Sequence, residues 1–354
     1  MRAREFLKED AGDLSVPQLK KEIVGQVKTI NDFGVLDRIY QVLSQKGNRT
    51  KIERAFTKNT KAANVGVNID KVIDDMVGYI NNLPGTTQQK LDFVEALEKG
   101  KAINVKALLA KTSTFSDVFH SKFAEDFFVS IANYGRGAAM KGPGEFALAI
   151  MSPKISLAAK GDIEVNGKLV EVKAAVNTSG GRMGETGDGA PKERIVSTII
   201  NVGKKHLNDD KAKIAQLEQY AASTTSTLRP AVRALHEILG KPAAVKAVVK
   251  AVVALTFGAK IGEAVGKAAA KDSSGVMAEQ EYMKPNFNWY QRKDGFSEIL
   301  AIWFGGKKTF SFADGDELLQ LRASGVFGAA GISIIPSKPN EIFAQINFTK
   351  GRGR

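Results

Sequence analysis

The chain has 354 residues, long enough for two domains or for one core with a large insertion. Its 51 Lys and Arg against 38 Asp and Glu give a net charge of +13, which favours a polyanionic partner, most simply nucleic acid, although an anionic membrane or plain solubility also accounts for it. Cysteine is absent and the three histidines are far apart, so the sequence excludes disulfides and thiol catalysis and shows no histidine metal cluster.

Residues 1–112 have the pattern of a small helical module. Apolar residues recur at helical spacing in four stretches, near residues 16–30, 36–43, 70–80 and 86–97. Basic connectors between them suit contact with a nucleic-acid backbone, and a solvated charged surface explains them as well. The first ten residues lack the apolar core of a signal peptide and no apolar stretch is long enough to cross a membrane, so we expect a soluble cytoplasmic protein.

The next segment, residues 113–225, begins with a predicted helix and leads to a hairpin. Ser116 is the predicted N-cap of this helix, whose apolar stripe comprises Phe119, Phe123, Phe127 and Ile131. Such a stripe indicates core packing rather than base stacking. After two glycine-rich turns, a short helix carries Glu145, an acid that is also favourable in the first turn of any helix.

Residues 161–173 predict a β-hairpin. Asn166 and Gly167 are the preferred pair for a two-residue turn because both positions need a positive φ, and short runs of β-branched residues lie on either side. The turn sets the facing pairs as Val165–Lys168, Glu164–Leu169, Ile163–Val170 and Asp162–Glu171.

The predicted hairpin has one apolar and one charged face, because side chains alternate along a strand. The apolar face, which we expect to be buried, comprises Ile163, Val165, Val170, Val172 and Ala174. The charged face comprises Asp162, Glu164, Glu171 and Lys173. Directly opposed carboxylates repel, and a hard cation such as Mg²⁺ would compensate them while leaving room for a phosphate oxygen. A charged solvent face is the alternative explanation.

The order of Asp162, eight further residues and Glu171-Val172-Lys173 resembles the active-site signature of the PD-(D/E)xK nuclease superfamily, with Gly161 where the superfamily's name has proline. The resemblance implies a restriction-endonuclease-like fold and hydrolysis of DNA phosphodiester bonds with Mg²⁺ or Mn²⁺. It also implies that Asp162, Glu171 and the Val172 carbonyl hold the metal. Lys173 would then act on the nucleophilic water.

Two helical features extend the resemblance. Many members carry an acidic residue on a helix ahead of the hairpin, aimed at the same metal, and Glu145 is the candidate for it. Gln216 and Tyr220 lie one turn apart on a predicted helix over residues 210–222 and resemble the extra motif of RecB-type and related phage exonucleases. They would support the lysine or a phosphate, although such a pair also arises by chance.

A polar, glycine-rich loop is predicted over residues 177–189, directly after the strand that carries Lys173. It lacks the GxxxxGK[ST] pattern of a nucleotide-binding loop. We expect it at the mouth of the site, with Arg182 and Lys192 available to DNA phosphates. A disordered linker is the alternative.

The rest of the chain divides into two segments. Residues 226–285 are rich in Ala, Val and Lys and predict a packed helical hairpin with a basic outer face, in preference to an interfacial membrane helix. Residues 286–354 predict a helix over residues 314–323 and a basic tail, with strands at residues 299–304, 309–312, 332–335 and 342–348. These strands either extend the core sheet or form a separate unit. Trp289 and Tyr290 suit a nucleic-acid contact or half-buried aromatics beside a strand.

We therefore expect a mixed α/β (α+β) protein with a restriction-endonuclease-like central sheet, an N-terminal helical module and a helical insertion. The expected function is that of a metal-dependent deoxyribonuclease. No ATPase motif is evident, which suits a stand-alone or phage-encoded enzyme in the host cytoplasm or the virion. The sequence leaves endonuclease and exonuclease open and is compatible with a homo-oligomer. The alternative is a non-catalytic nucleic-acid-binding or virion structural protein that keeps a nuclease-like fold.

Overall fold

The computed structural model describes residues 83–132, 143–158, 160–175, 179–183, 189–222, 226–326, 333–335 and 344–347. Within them the chain is mixed α/β, with twelve helices and ten strands. Most of the predicted N-terminal module, including its first three helices, lies outside the described residues, as do the basic tail at residues 350–354 and parts of the glycine-rich loop.

The helices, in chain order, are α1 (Thr87–Glu98), α2 (Val105–Leu108), α3 (Phe115–Val118), α4 (Lys122–Ala132), α5 (Pro143–Met151), α6 (Lys192–Lys204), α7 (Lys211–Ala222), α8 (Leu228–Leu239), α9 (Pro242–Phe257), α10 (Ala259–Lys271), α11 (Val276–Asp294) and α12 (Gly315–Ala323). The strands are β1 (Ser113–Thr114), β2 (Ile155–Leu157), β3 (Ile163–Val165), β4 (Lys168–Ala175), β5 (Ser179–Met183), β6 (Ser226–Thr227), β7 (Glu298–Trp303), β8 (Lys308–Phe312), β9 (Ser333–Ile335) and β10 (Ala344–Asn347).

The chain divides into two compact units, whose boundaries differ from those predicted. The first runs up to Val105 and includes Phe115–Leu157, and the second comprises Lys106–Thr114 and the chain from Ala158 onward. The predicted segments 113–225, 226–285 and 286–354 therefore contribute to the same second unit.

The first unit is built around a cluster of phenylalanines. Phe93 on α1 packs against Phe127 on α4 with ring centroids 5.0 Å apart. The predicted helix α1 is confirmed, and Thr86 caps it through a capping box with Gln89. The predicted cap at Ser116 is wrong, because α3 and α4 are separate helices and Ser121 accepts a hydrogen bond from the Ala124 N–H instead. The predicted apolar stripe is buried as expected.

The predicted hairpin is present in the second unit. β3 and β4 pair in the predicted register from Val165–Lys168 to Ile163–Val170. Asn166 and Gly167 have φ values of 50° and 82°, as a two-residue turn requires. The apolar face is buried at Ile163, Val165, Val170 and Val172, while Ala174 is exposed, contrary to prediction.

The hairpin belongs to a sheet in which β1, β8, β7, β4 and β3 lie side by side. β7 is parallel to β4, with Val172 opposite Leu300, and β8 is antiparallel to β7. β7 and β8 thus extend the hairpin sheet, whereas β9 and β10, which also follow residue 297, lie outside it. Trp289 and Tyr290 lie on α11, which ends at a left-handed Gly295.

Two short strand pairs complete the second unit. Part of the predicted glycine-rich loop forms β5, which pairs with β10 across a long stretch of sequence. β6 pairs with β9. The prediction of a loop is wrong at residues 179–183. These residues form a strand because they pair with β10, which is distant in the sequence, and the local glycine-rich pattern does not indicate this pairing.

The second unit has one continuous hydrophobic core. Side chains from helices α6 to α12 meet one face of the sheet, and the buried aromatic residues of this core include Phe287, Phe296, Phe310 and Phe312. α9 and α10 form the predicted helical hairpin. Its lysines do not form a purely basic face, since Lys246, Lys250 and Lys267 all pair with Glu263. No described helix combines the length and hydropathy that a membrane span requires.

Candidate active site

Asp162, Glu171 and Lys173 lie toward the open end of the hairpin, away from its turn. The paired ladder stops at Ile163, and Gly161 adopts a left-handed φ of +63° just before Asp162. The Asp162 N–H donates to the Val170 carbonyl at 3.0 Å, one position away from the simple register. Asp162 therefore lies in a bend just before the first residue of the ladder. The predicted direct pairing of Asp162 with Glu171 is not present in the ladder.

The Asp162 carboxylate is tied to the backbone of β4. Its Oδ2 accepts a hydrogen bond from the Val172 N–H at 2.8 Å. N–H and C=O groups of one strand residue point to the same side, so the Val172 carbonyl is directed toward the Asp162 edge of β4. Asp162 is half-buried.

The next charged residues form a compact cluster. Glu171 and Lys173 share one face of β4, and the Lys173 Nζ lies 2.5 Å from the Glu171 Oε1. Their side chains are only 9% and 17% exposed. The hydroxyl of Tyr290, on α11, donates to the same oxygen at 2.6 Å. Two donors therefore meet at Oε1, while Oε2 makes no hydrogen bond among the described residues.

Tyr290 is fixed by packing on its other side. It is 3% exposed, and its ring meets Phe296 edge-on with centroids 5.1 Å apart. The Lys173 Nζ lies 5.3 Å from the centroid of the same ring. Burial raises the pKa of the Tyr290 hydroxyl well above its ordinary value of 10, and the charge and hydrogen bond of Glu171 raise it further. The charges of Asp294 and Asp162 add smaller effects in the same direction.

These oxygens fit a hard divalent cation. The Asp162 carboxylate and the Val172 carbonyl lie at the same edge of β4, and Glu171, the residue before Val172, keeps an oxygen outside its internal hydrogen bonds. Mg²⁺ favours such a set because it takes one or two carboxylates and keeps several waters. No group of three or more His, Cys, Asp or Glu that could hold a metal occurs among the described residues. The described residues therefore do not form a site in which protein side chains alone would complete the coordination of the cation.

Glu145 lies in the other unit. It is on α5, in the first turn as predicted, and its side chain is half-buried. Asp162, Glu171 and Lys173 all belong to the second unit. The assignment of Glu145 to the metal site remains a prediction.

Gln216 and Tyr220 lie on the predicted helix, α7, one turn apart. The helix packs against α6 and α8. Gln216 is exposed and makes no hydrogen bond with Glu171 or Lys173, whereas Tyr220 is half-buried against the hydrophobic core. Neither residue is brought into the cluster around Glu171.

Arg182 and Lys192 lie on either side of the undescribed part of the glycine-rich loop. Arg182 is in β5, opposite Gln345 of β10. Lys192 is the first residue of α6 and is half-buried. Their predicted contacts with DNA phosphates remain predictions.

Sequence reasoning missed the role of Tyr290 and Phe296. The mixture of aromatic and basic residues at positions 289–293 suits a strand edge or a nucleic-acid contact, whereas the structure places Tyr290 on α11 with its hydroxyl on Glu171. Tyr290 and Glu171 are 119 residues apart, and no local sequence pattern predicts their hydrogen bond.

No protein-family model, curated protein or solved structure matches the chain.

Proposed function

We propose that this protein is a Mg²⁺- or Mn²⁺-dependent nuclease that hydrolyses DNA phosphodiester bonds, with a restriction-endonuclease-like core. The observation that carries the proposal is a pair of contacts at one end of the β3–β4 hairpin, where Asp162 accepts a hydrogen bond from the Val172 N–H and Lys173 pairs with Glu171. The order and spacing of these residues in the sequence resemble the PD-(D/E)xK signature. A net charge of +13 supports a polyanionic substrate.

Each group has a separate task in this proposal. Asp162, Glu171 and the Val172 carbonyl hold the cation, which when bound polarises the phosphate and lowers the pKa of water. Lys173 carries a positive charge beside Glu171, and its Nζ orients the attacking water and balances the negative charge that develops on the phosphate. The largely buried position of the cluster strengthens these charge interactions because little water screens them.

The alternative from another class is a non-catalytic nucleic-acid-binding or virion structural protein with a nuclease-like fold. One observation favours it: the carboxylates already have partners within the chain. The Val172 N–H binds Asp162, and Lys173 and Tyr290 bind Glu171. A folded hairpin with these contacts does not depend on a cation for its stability.

The test is cleavage of supercoiled, linear and single-stranded DNA with Mg²⁺ or Mn²⁺. Lys173→Ala and Asp162→Asn are expected to abolish cutting, because the first removes the positive charge and the second removes a carboxylate ligand. Lys168→Ala and Glu164→Gln are matched controls, since both residues are exposed on the same hairpin. The controls are expected to cut like the wild type.

A second readout separates the two classes without substrate. A cation held by Asp162 and Glu171 raises the melting temperature of the wild type and leaves that of Asp162→Asn unchanged. A wild type that binds DNA, gains no stability from either cation and never cuts establishes the binding-protein alternative. Equal cutting by Lys173→Ala and the wild type contradicts the assigned site.

A further inference from the structure

We infer that Tyr290 is the positioning residue of the proposed metal site: its hydroxyl holds one oxygen of Glu171 so that the other faces the cation. This inference rests on the proposed function and adds a residue from outside the sequence signature. Tyr290 touches neither the cation nor the substrate in this role. It acts through Glu171 and Lys173.

The geometry around Glu171 carries the inference. The terminal torsion of a glutamate side chain is broad, so a carboxylate needs neighbours to fix its plane. Tyr290 and Lys173 place hydrogens on one oxygen, Oε1, at 2.6 and 2.5 Å. That arrangement fixes the carboxylate and directs Oε2 away from both donors.

Tyr290 also acts on the lysine. The Lys173 Nζ lies 5.3 Å from the centre of the tyrosine ring, where the face of an aromatic ring attracts a cation. One side chain therefore contacts both charged members of the cluster.

The support for Tyr290 itself is rigid. Phe296 packs edge-on against its ring, and Phe296 in turn packs against Phe287. The same Phe296 approaches the other end of the site, since a Cβ added at Gly161 would lie 3.5 Å from its Cβ. The turn between α11 and β7 thus links Tyr290 with the backbone that carries Asp162.

The test compares Tyr290→Phe with Tyr282→Phe in the full chain. Both tyrosines are buried on α11, and the ring of Tyr282 packs against Phe257 rather than against Glu171 or Lys173. Each substitution removes only a hydroxyl. Mn²⁺ binding is measured by calorimetry without DNA, and the Mg²⁺ dependence of cleavage is measured separately. Melting temperatures without cation show whether a variant has lost stability.

The expected result is that Tyr290→Phe weakens Mn²⁺ binding and raises the half-saturating Mg²⁺ concentration by about tenfold, the lower end of the effect of losing an outer partner of a metal ligand. Its turnover at saturating Mg²⁺ stays within about threefold of the wild type, because every group that touches the cation or the phosphate is retained. Tyr282→Phe leaves both quantities unchanged. A purely structural tyrosine lowers the melting temperature without moving either quantity.

The two proposals fail in different ways. Unchanged Mn²⁺ affinity and Mg²⁺ dependence in Tyr290→Phe, with an active wild type, overturn the role of Tyr290 and leave the nuclease proposal intact. A wild type that neither binds Mn²⁺ nor cuts DNA overturns the nuclease proposal, and the role of Tyr290 falls with it.

Discussion

The Asp162 carboxylate binds the backbone N–H of Val172 at 2.8 Å, beyond the last pair of the β3–β4 ladder. A side-chain oxygen thus takes a hydrogen bond that a longer β3 would satisfy with a carbonyl. Asp162 therefore has two roles. Its side-chain oxygen accepts a hydrogen bond, which does not require a charge, and we propose that its negative charge binds the metal. The two roles are separable by substitution.

Asp162→Asn is expected to keep the hydrogen bond and lose the charge, whereas Asp162→Ala loses both. We expect Asp162→Ala to lower the free energy of unfolding by about 1–2 kcal/mol, because the N–H of the buried Val172 loses its acceptor. Asp162→Asn should remain within about 0.5 kcal/mol of the wild type. Urea unfolding without cation measures both, with Glu164→Ala as the exposed control on β3. An equal loss in the two variants shows that the charge, rather than the hydrogen bond, carries the structural role.

Glu279 joins three helices of the second unit. This glutamate of α11 is 1% exposed, and its Oε2 accepts hydrogen bonds from Arg229 of α8 and from Arg322 of α12, the latter at 2.6 Å. We expect Glu279→Gln to lower the free energy of unfolding by about 3 kcal/mol, because two partly buried guanidinium groups lose their counter-charge.

The matched control for Glu279→Gln is Glu281→Gln. Glu281 is exposed on the same helix, and its replacement should change the free energy of unfolding by less than about 0.5 kcal/mol. Urea unfolding measures both variants. If Glu279→Gln behaves like the control, the three-helix ion pair contributes nothing net to stability.

Glu263 should make the melting temperature depend on pH. Hydrogen bonds from Lys246 and Lys250 lower the pKa of this carboxylate from 4.5 to about 2. A pKa that is lower in the folded state gives stability above the unfolded value of 4.5, and this stability disappears as the pH falls toward about 2.

Melting curves of the wild type and Glu263→Gln between pH 7 and pH 2 test this expectation. The difference between the two melting temperatures should be constant above about pH 5 and vanish near pH 2. Added NaCl should also reduce it, because Glu263 and its lysines lie at the surface. A difference that persists unchanged at pH 2 contradicts the assignment to charge pairing.

Gly262 allows the close approach of α9 and α10. A Cβ at this position would lie 2.5 Å from the Lys250 carbonyl oxygen, a distance that side chains do not adopt. We expect Gly262→Ala to lower the melting temperature by several degrees, although alanine in a helix is ordinarily better than glycine by up to about 1 kcal/mol. Gly144→Ala in α5 is the control, since its Cβ would meet nothing closer than 3.8 Å and should be neutral or stabilising. A higher melting temperature for Gly262→Ala contradicts the close packing.

The hairpin is the part of the fold that local sequence predicted best. Its turn residues and alternating pattern fixed the register from Ile163 to Val170 because both signals act between near neighbours in the chain. The same reasoning failed at Ser116, where one predicted helix is two, and it did not predict that Trp289 and Tyr290 lie on the helix α11. In these places long-range packing overrides a weak local preference.

The sequence by itself determined a basic, cysteine-free chain with a hairpin that carries Asp162, Glu171 and Lys173. Only the tertiary structure decided what surrounds those residues. The parallel pairing of β4 with β7 and the packing of α11 against the core bring Tyr290 to Glu171. Contacts between residues so far apart depend on the free energy of the whole core, which no local spacing encodes.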